Sequence, residues 1–163
     1  MNVCRIIVIG CPGSGKSTFA RRLAVLTGIP LYPLDLIYHR PDRTTVPREV
    51  FDGRLEAIMC TESWIIDGNY QRTLENRIEH CDKVFLFDLP TEVCLAGAKA
   101  RIGVPRPDMP WYEDELDPGF EGFIKEFRDS RLPQIYKLLE KHSGKDVTVF
   151  RSREEADGYL FGL

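Results

Sequence analysis

A chain of 163 residues with a formal charge of −3 fits one domain with a sizeable core. Its acids and bases are interspersed, with no basic tail and no Lys/Arg block, so no direct nucleic-acid surface is expected. No apolar stretch nears ~18 residues, so no membrane span is expected.

In chain order, "IIVIG" is a β-branched run of buried-strand type. The opening "MNVCR" leads directly into it and does not read as a signal peptide. The strand passes into "CPGSGKST", where Gly10, Gly15, Lys16 and Ser17 satisfy G-x-x-x-x-G-K-[ST], with a further glycine at Gly13. Glycines let successive amides point into one hollow, and the helix starting near Lys16 adds its positive N-terminal end. Average composition gives a chance match in such a chain about one time in two hundred. The pattern predicts phosphate binding, with Lys16 reaching the β- and γ-phosphates of ATP and the Ser17 hydroxyl on Mg²⁺. Cys11, inside the loop, reads either as an oxidation-sensitive thiol or as a small packing side chain. The chain has five cysteines, none in a C-x-x-C pair, which argues for free thiols in a reducing cytoplasm and against zinc.

The helix "KSTFARRLAVLTG" ends at Gly28, a C-cap. "IPLYPLD" is a short second strand ending at Asp35. A Pro- and Arg-containing loop, "HRPDRTTVP", precedes a helix over Arg48–Cys60. "WIIDG" is strand three, "TLENRIEH" a short helix, and "KVFLFDLP" strand four, stopped by Pro90. "TEVCLAGAKARIG" is a helix. "VPRPDMPWYEDELDPG" reads as loop, because its prolines forbid regular helix. A long helix runs from Phe120 to Lys141, interrupted by Pro133. "DVTVF" is strand five, and Glu154–Leu160 closes the chain as a turn or helix. This alternation predicts an α/β fold, a five-stranded parallel sheet with helices on both faces. Ligands then sit at the carboxyl ends of the strands, where Gly10–Lys16, Asp35, Asp67 and Asp88 fall.

Asp67, at a strand end beside the glycine loop, suits a Mg²⁺ shell, with turn capping as its plain alternative. Asp35 suits either a base for an acceptor hydroxyl or a metal partner, and again capping is the alternative. Asp88 reads as structural. Phosphoryl transfer is mostly positioning and charge neutralisation, so the arginines matter. Arg72 closely follows Asp67, Arg101 and Arg106 flank the proline-rich loop, and Arg128 and Arg131 sit three apart on one helix face. All five are candidates to clamp phosphate.

"WIIDGNYQRT" resembles the hydrophobic–D-G-aromatic-P-R-T segment of adenylate kinases, with one residue inserted before Arg72, and "KVFLFDLP" resembles their next strand. "LDLIY", "WIIDGNY", "RPDMP" and "FRDSR" together resemble the bacterial DNA topology modulation proteins, which are adenylate-kinase-related P-loop proteins. The resemblance implies a three-layer P-loop NTPase fold of nucleotide-kinase type. It implies nucleotide contacts from Gly13, Gly15, Lys16, Ser17 and Thr18, with Gly10, Ser14 and Arg101 completing the cofactor set. It also implies a lid, placed at 101–118, while an acceptor-binding segment is expected at 35–61. The lid is short and lacks zinc-spaced cysteines, and Asn69-Tyr70 stands where adenylate kinases carry an aromatic-proline pair. Both departures weigh against AMP as acceptor. The expected activity is transfer of the γ-phosphoryl of ATP to a nucleotide, nucleoside or hydroxylated metabolite. The alternative is a regulatory ATPase acting on a partner, including an indirect role in DNA topology. Oligomeric state is open.

Overall fold

The computed structural model describes residues 4–163, so the first three residues of "MNVCR" lie outside the described residues. Five short runs rich in branched and aromatic side chains form the strands β1 (Arg5–Gly10), β2 (Leu31–Pro33), β3 (Trp64–Asp67), β4 (Lys83–Phe87) and β5 (Asp146–Phe150). All neighbours pair in parallel, in the order β2-β3-β1-β4-β5. Parallel strands need crossovers, and helices supply them. These are α1 (Lys16–Thr27), α2 (Leu34–Tyr38), α3 (Arg48–Met59), α4 (Gln71–His80), α5 (Thr91–Ala100), α6 (Pro118–Ser130), α7 (Leu132–Lys141) and α8 (Arg153–Phe161). The result is the five-stranded parallel α/β fold expected from the alternation.

The central strands are buried along almost their whole length, as a sheet covered on both faces requires. On one face, Phe19 of α1 meets Phe85 edge-on with ring centres 4.9 Å apart, and Phe150 stacks on Phe85 at 5.7 Å. Tyr159 of α8 closes this group at 5.0 Å from Phe85. The cluster fixes α1, and so the start of the glycine loop's helix, against β4 and β5.

Two elements differ from their predicted form. The second strand stops at Pro33, and Asp35 lies in the first turn of α2 instead of ending a strand. Proline has no N–H to extend a ladder, and a carboxylate in a first helical turn is favoured by the helix dipole. The long helix over 120–141 is two helices that meet at Arg131. Pro133 cannot donate to the Asp129 carbonyl four residues back, but is tolerated in the first turn of α7.

Removing the central ring should cost heavily. Phe85→Ala leaves a cavity between α1, β5 and α8, and a loss of about 3–5 kcal/mol is expected in denaturant unfolding. A loss below about 1 kcal/mol would mean that the cluster does not hold α1.

Candidate active site

The glycine loop, residues 10–15, leaves the carboxyl end of β1 and enters α1 through Gly15, whose φ is 99°. No side chain caps α1 among the described residues, and its first turn carries no acid. Its leading amides are therefore free to meet an anion. The loop's carbonyls are held from behind. Asn69 is reciprocally paired with Gly10, its Oδ1 accepting from the Gly10 N–H at 2.9 Å and its Nδ2 donating to the Gly10 carbonyl at 2.7 Å. Arg153 of α8 donates from Nη2 to the Gly13 carbonyl at 2.9 Å and from Nε to Ser14 at 3.4 Å. Gly13 has φ 83°, and a Cβ there would strike the Cys94 carbonyl of α5. A Cβ on Gly97, one turn on, would strike the Gly13 carbonyl. Cys11 is buried, and a hydrogen bond with the Cys94 thiol together with burial pushes its pKa well above the usual value. It is packed as a protonated thiol, the less reactive of its two expected states.

Two cavities open on this loop. One, of about 410 Å³, runs along Gly13–Thr18, Gly97, Arg153 and Asp157. The other, of about 480 Å³, lies between Asp35, Gly68–Tyr70, Trp111 and Phe123. They share Lys16, Ser17, Arg101, Arg106 and Asp108. Of the expected acceptor segment 35–61, only Asp35 and His39 line the second cavity. Most of its wall comes from 101–123, the expected lid and the start of α6.

The shared residues are mostly charged. Lys16 and Arg101 have no hydrogen-bond or ion-pair partner among the described residues. Burial, then the neighbouring Arg106, pulls the Arg101 pKa below its ordinary value. Arg106 pairs with Asp108 at 3.4 Å, and Asp108 also meets Arg21 of α1 at 3.2 Å. Asp108 is buried, so this pair of bridges ties segment 101–118 to α1.

Asp67 lies under the junction, buried, with Oδ1 lacking any hydrogen-bond partner among the described residues. Burial pushes its pKa up, against the pull of Lys16 and a hydrogen bond from Ser17. An orphaned carboxylate oxygen beside a hydroxyl is a hard-oxygen donor set that fits Mg²⁺. Asp35 is half-buried and accepts a 2.6 Å hydrogen bond from the Tyr70 hydroxyl, with His39 Nε2 at 4.0 Å. Tyr70 takes φ 37°, a left-handed conformation uncommon for a non-glycine residue. Arg77 holds that bend. It is fully buried and donates to the Gly68, Asn69 and Tyr70 carbonyls. Burial pulls its pKa down to about 9, which leaves it protonated at neutral pH.

Three candidate arginines lie elsewhere. Arg72 forms a double hydrogen bond with Asp52 of α3, at 2.7 and 3.2 Å, and lines neither cavity. Arg128 reaches Asp88 at 3.0 Å and the Leu89 carbonyl at 2.9 Å, while Arg131 packs over the Phe123 ring at 5.5 Å. Asp88 also binds Arg151 at 2.8 Å and the Tyr136 hydroxyl at 2.6 Å, which is a structural role. Sequence spacing put Arg128 and Arg131 on one face, but Arg128 serves Asp88, just past the end of β4, and Arg131 meets a ring and no acid. Asn69, Arg77, Asp108 and Arg153 were not singled out from sequence. Only Asn69 had left a signal there, as a departure from the adenylate-kinase pattern.

The fold and the glycine loop are of P-loop kinase type, and comparison with known proteins indicates an ATP-dependent kinase. The chain is 29% identical over 175 residues to the adenylate kinase of Thermotoga petrophila, covering 88% of this chain and 76% of that one. It is 25% identical, with the same coverage, to the adenylate kinase of Thermotoga maritima. Among solved structures it is similar to shikimate kinase from Bacteroides thetaiotaomicron, with TM-score 0.59, 17% identity, and 98% and 95% of the two chains covered. It is also similar to shikimate kinase from Acinetobacter baumannii in complex with shikimate, with TM-score 0.64, 17% identity, and 98% and 92% covered. These two show the same fold. No family model matches the chain.

The contact between Gly13 and Gly97 gives a direct test. Gly97→Ala should push the loop off α5 and weaken ATP binding at least about tenfold in calorimetric titration, roughly 1.4 kcal/mol. Gly122 in α6, with nothing within 4 Å of an added Cβ, is the control. Gly122→Ala should leave ATP affinity unchanged. Equal affinities in the two variants would remove the close approach from the binding site.

Proposed function

We propose that this chain transfers the γ-phosphoryl of ATP to a small-molecule acceptor in a reducing cytoplasm. The observation that carries this is the junction. Two separate cavities meet at Lys16, Ser17, Arg101 and Arg106, where a donor in one and an acceptor in the other would bring a phosphoryl group between them.

In this reading the amides of Gly13 and of Gly15 to Thr18 bind the ATP phosphates, and the first cavity takes the nucleoside. Lys16 and Arg101, the unpaired cations, neutralise the charge on the transferring group. Arg106, steadied by Asp108, adds a third positive charge from the lid. Ser17 and Asp67 are the residues that would hold Mg²⁺, which when bound neutralises phosphate charge. Asp35 faces the acceptor cavity and takes the proton of an acceptor hydroxyl. The Tyr70 hydrogen bond fixes which carboxylate oxygen is free to do so. Segment 101–118 is the lid, closed onto α1 through Asp108 and Arg21. The formal charge of −3 and the dispersed basic residues support a protein that makes no direct DNA contact.

Lys16→Ala should cut phosphoryl transfer by about 10³ while the thermal unfolding midpoint holds, because the side chain faces ligand and not core. Unchanged ATP turnover in folded Lys16→Ala would overturn the site.

The two carboxylates separate by their response to metal. Asp67→Asn should lower activity in a way that higher Mg²⁺ partly restores. Asp35→Asn should lower kcat by roughly 10²–10⁴ with no such rescue. Identical Mg²⁺ dependence in both variants would remove the base role from Asp35.

A further inference from the structure

The second cavity divides into a shared end and a private end. At the shared end lie Lys16, Arg101 and Arg106, which also line the first cavity and in the reading above neutralise the ATP phosphates there. The private wall contains no lysine or arginine; its titratable acids and bases are four carboxylates, Asp35, Glu113, Glu115 and Asp117, the last of which caps α6, and His39, which faces Asp35 at 4.0 Å. The other arginines near it are engaged outside. Arg43 packs over Trp111 at 4.8 Å and lies 3.8 Å from Glu113, and Arg131 packs over Phe123, yet neither lines the cavity. Arg72, the arginine that follows the strand-three carboxylate, is held by Asp52.

An acceptor phosphate or carboxylate is normally met by an arginine fork. None is available here beyond those committed to ATP, and Asp35 and Glu115 would repel it. Aromatic rings dominate the remaining wall: Tyr70, Trp111, Phe120 and Phe123. They suit a flat ring or an aliphatic ring face, and acids beside aromatic rings suit an amine. Trp111 adds a directional group. Its Nε1–H is buried without a partner among the described residues, a donor for a ring nitrogen or oxygen.

Resting on the phosphoryl-transfer reading above, we infer that the acceptor is a ring-bearing alcohol without an anionic group, neutral or cationic. The hydroxyl oxygen forms a bond to the γ-phosphorus, the bond from that phosphorus to the β,γ-bridging oxygen breaks, and ADP leaves. The hydroxyl proton goes to Asp35. The products are ADP, a phosphate monoester and one proton.

The test pairs acceptors that differ only in charge. ATP consumption by the full chain is measured with a nucleoside and its 5′-monophosphate, and with a cyclic amino alcohol and the matching hydroxy carboxylate. The uncharged and cationic members should stimulate turnover at least about tenfold more than their anionic partners. Binding is read separately, without ATP, from tryptophan emission. Trp64 is fully buried away from the cavity and Trp111 lines it, so a ligand-dependent change reports Trp111. Glu115→Lys, at an exposed position on the private wall, should weaken binding of the amino alcohol at least fivefold and strengthen that of the carboxylate. Turnover stimulated equally or better by the monophosphate or carboxylate overturns the acceptor class and leaves phosphoryl transfer standing. ATP hydrolysis that no member of the panel raises overturns both.

Discussion

A phosphate-binding loop must present amides forward, and each amide turned forward turns a carbonyl backward. Those carbonyls need partners or the loop will not hold its shape. Here the partners come from three separate parts of the chain: Asn69 on Gly10, Arg153 on Gly13 and Ser14, and the Ser14 amide on Cys11. The contact between α5 and the loop, through two glycines, removes the remaining freedom. The loop is therefore preorganised by groups that never need to touch a phosphate. Preorganisation is what makes such donors effective, since no reorganisation is left for the moment of reaction.

The same logic extends one layer outward. Arg77 is a buried cation spent on three backbone carbonyls of 68–70, the turn that carries both Asn69 and Tyr70. That turn serves both halves of the site at once. Asn69 steadies the glycine loop, while Tyr70 accepts a strained backbone and steadies Asp35 in the second cavity. Asp67, at the end of the strand before it, attracts Arg77 across the interior and raises its otherwise depressed pKa. A single turn after β3 thus couples the metal-ligand candidate, the phosphate loop and the base candidate.

The sheet, its parallel strands and the glycine loop were legible because each rests on a local pattern: β-branched runs, a fixed glycine spacing, prolines that stop elements. Segment 101–118 was legible as a long proline-broken stretch, and the structure puts its Arg101 and Arg106 where the two cavities meet. What sequence could not show was which anion each remaining arginine meets. Arg72, Arg128 and Arg131 have the right type and plausible spacing, but Asp52, Asp88 and the Phe123 ring take them. The acids lie 20 and 40 residues away from Arg72 and Arg128 along the chain, and only the packing of helices on the sheet decides those pairings, while Arg131 turns back along α6 onto Phe123. Asp108 failed to stand out for the opposite reason. In "RPDMP" it looks like a loop acid, and its burial between Arg21 and Arg106 appears only when the lid is folded over α1.

The relatives carry different acceptors in their names, adenylate in the set this chain matches in sequence and shikimate in the set whose fold it shares. The division of the site explains how that is possible. The donor half is constrained by the triphosphate, so the loop, its backing and the junction cations form one interlocked unit on β1, α1, α5 and α8. The second cavity is built from α2, the turn after β3 and segment 101–118, which meet the loop and α1 at the junction, through Asn69 on Gly10 and through Asp108 on Arg21. Residues such as Glu115, Trp111 and Phe120 can change without disturbing a single contact that shapes the phosphate loop. Not all of the acid-and-aromatic wall is free in this way, since Asp117 caps α6, but Glu115, Trp111 and Phe120 lie where the side chain can vary while the loop holds its shape.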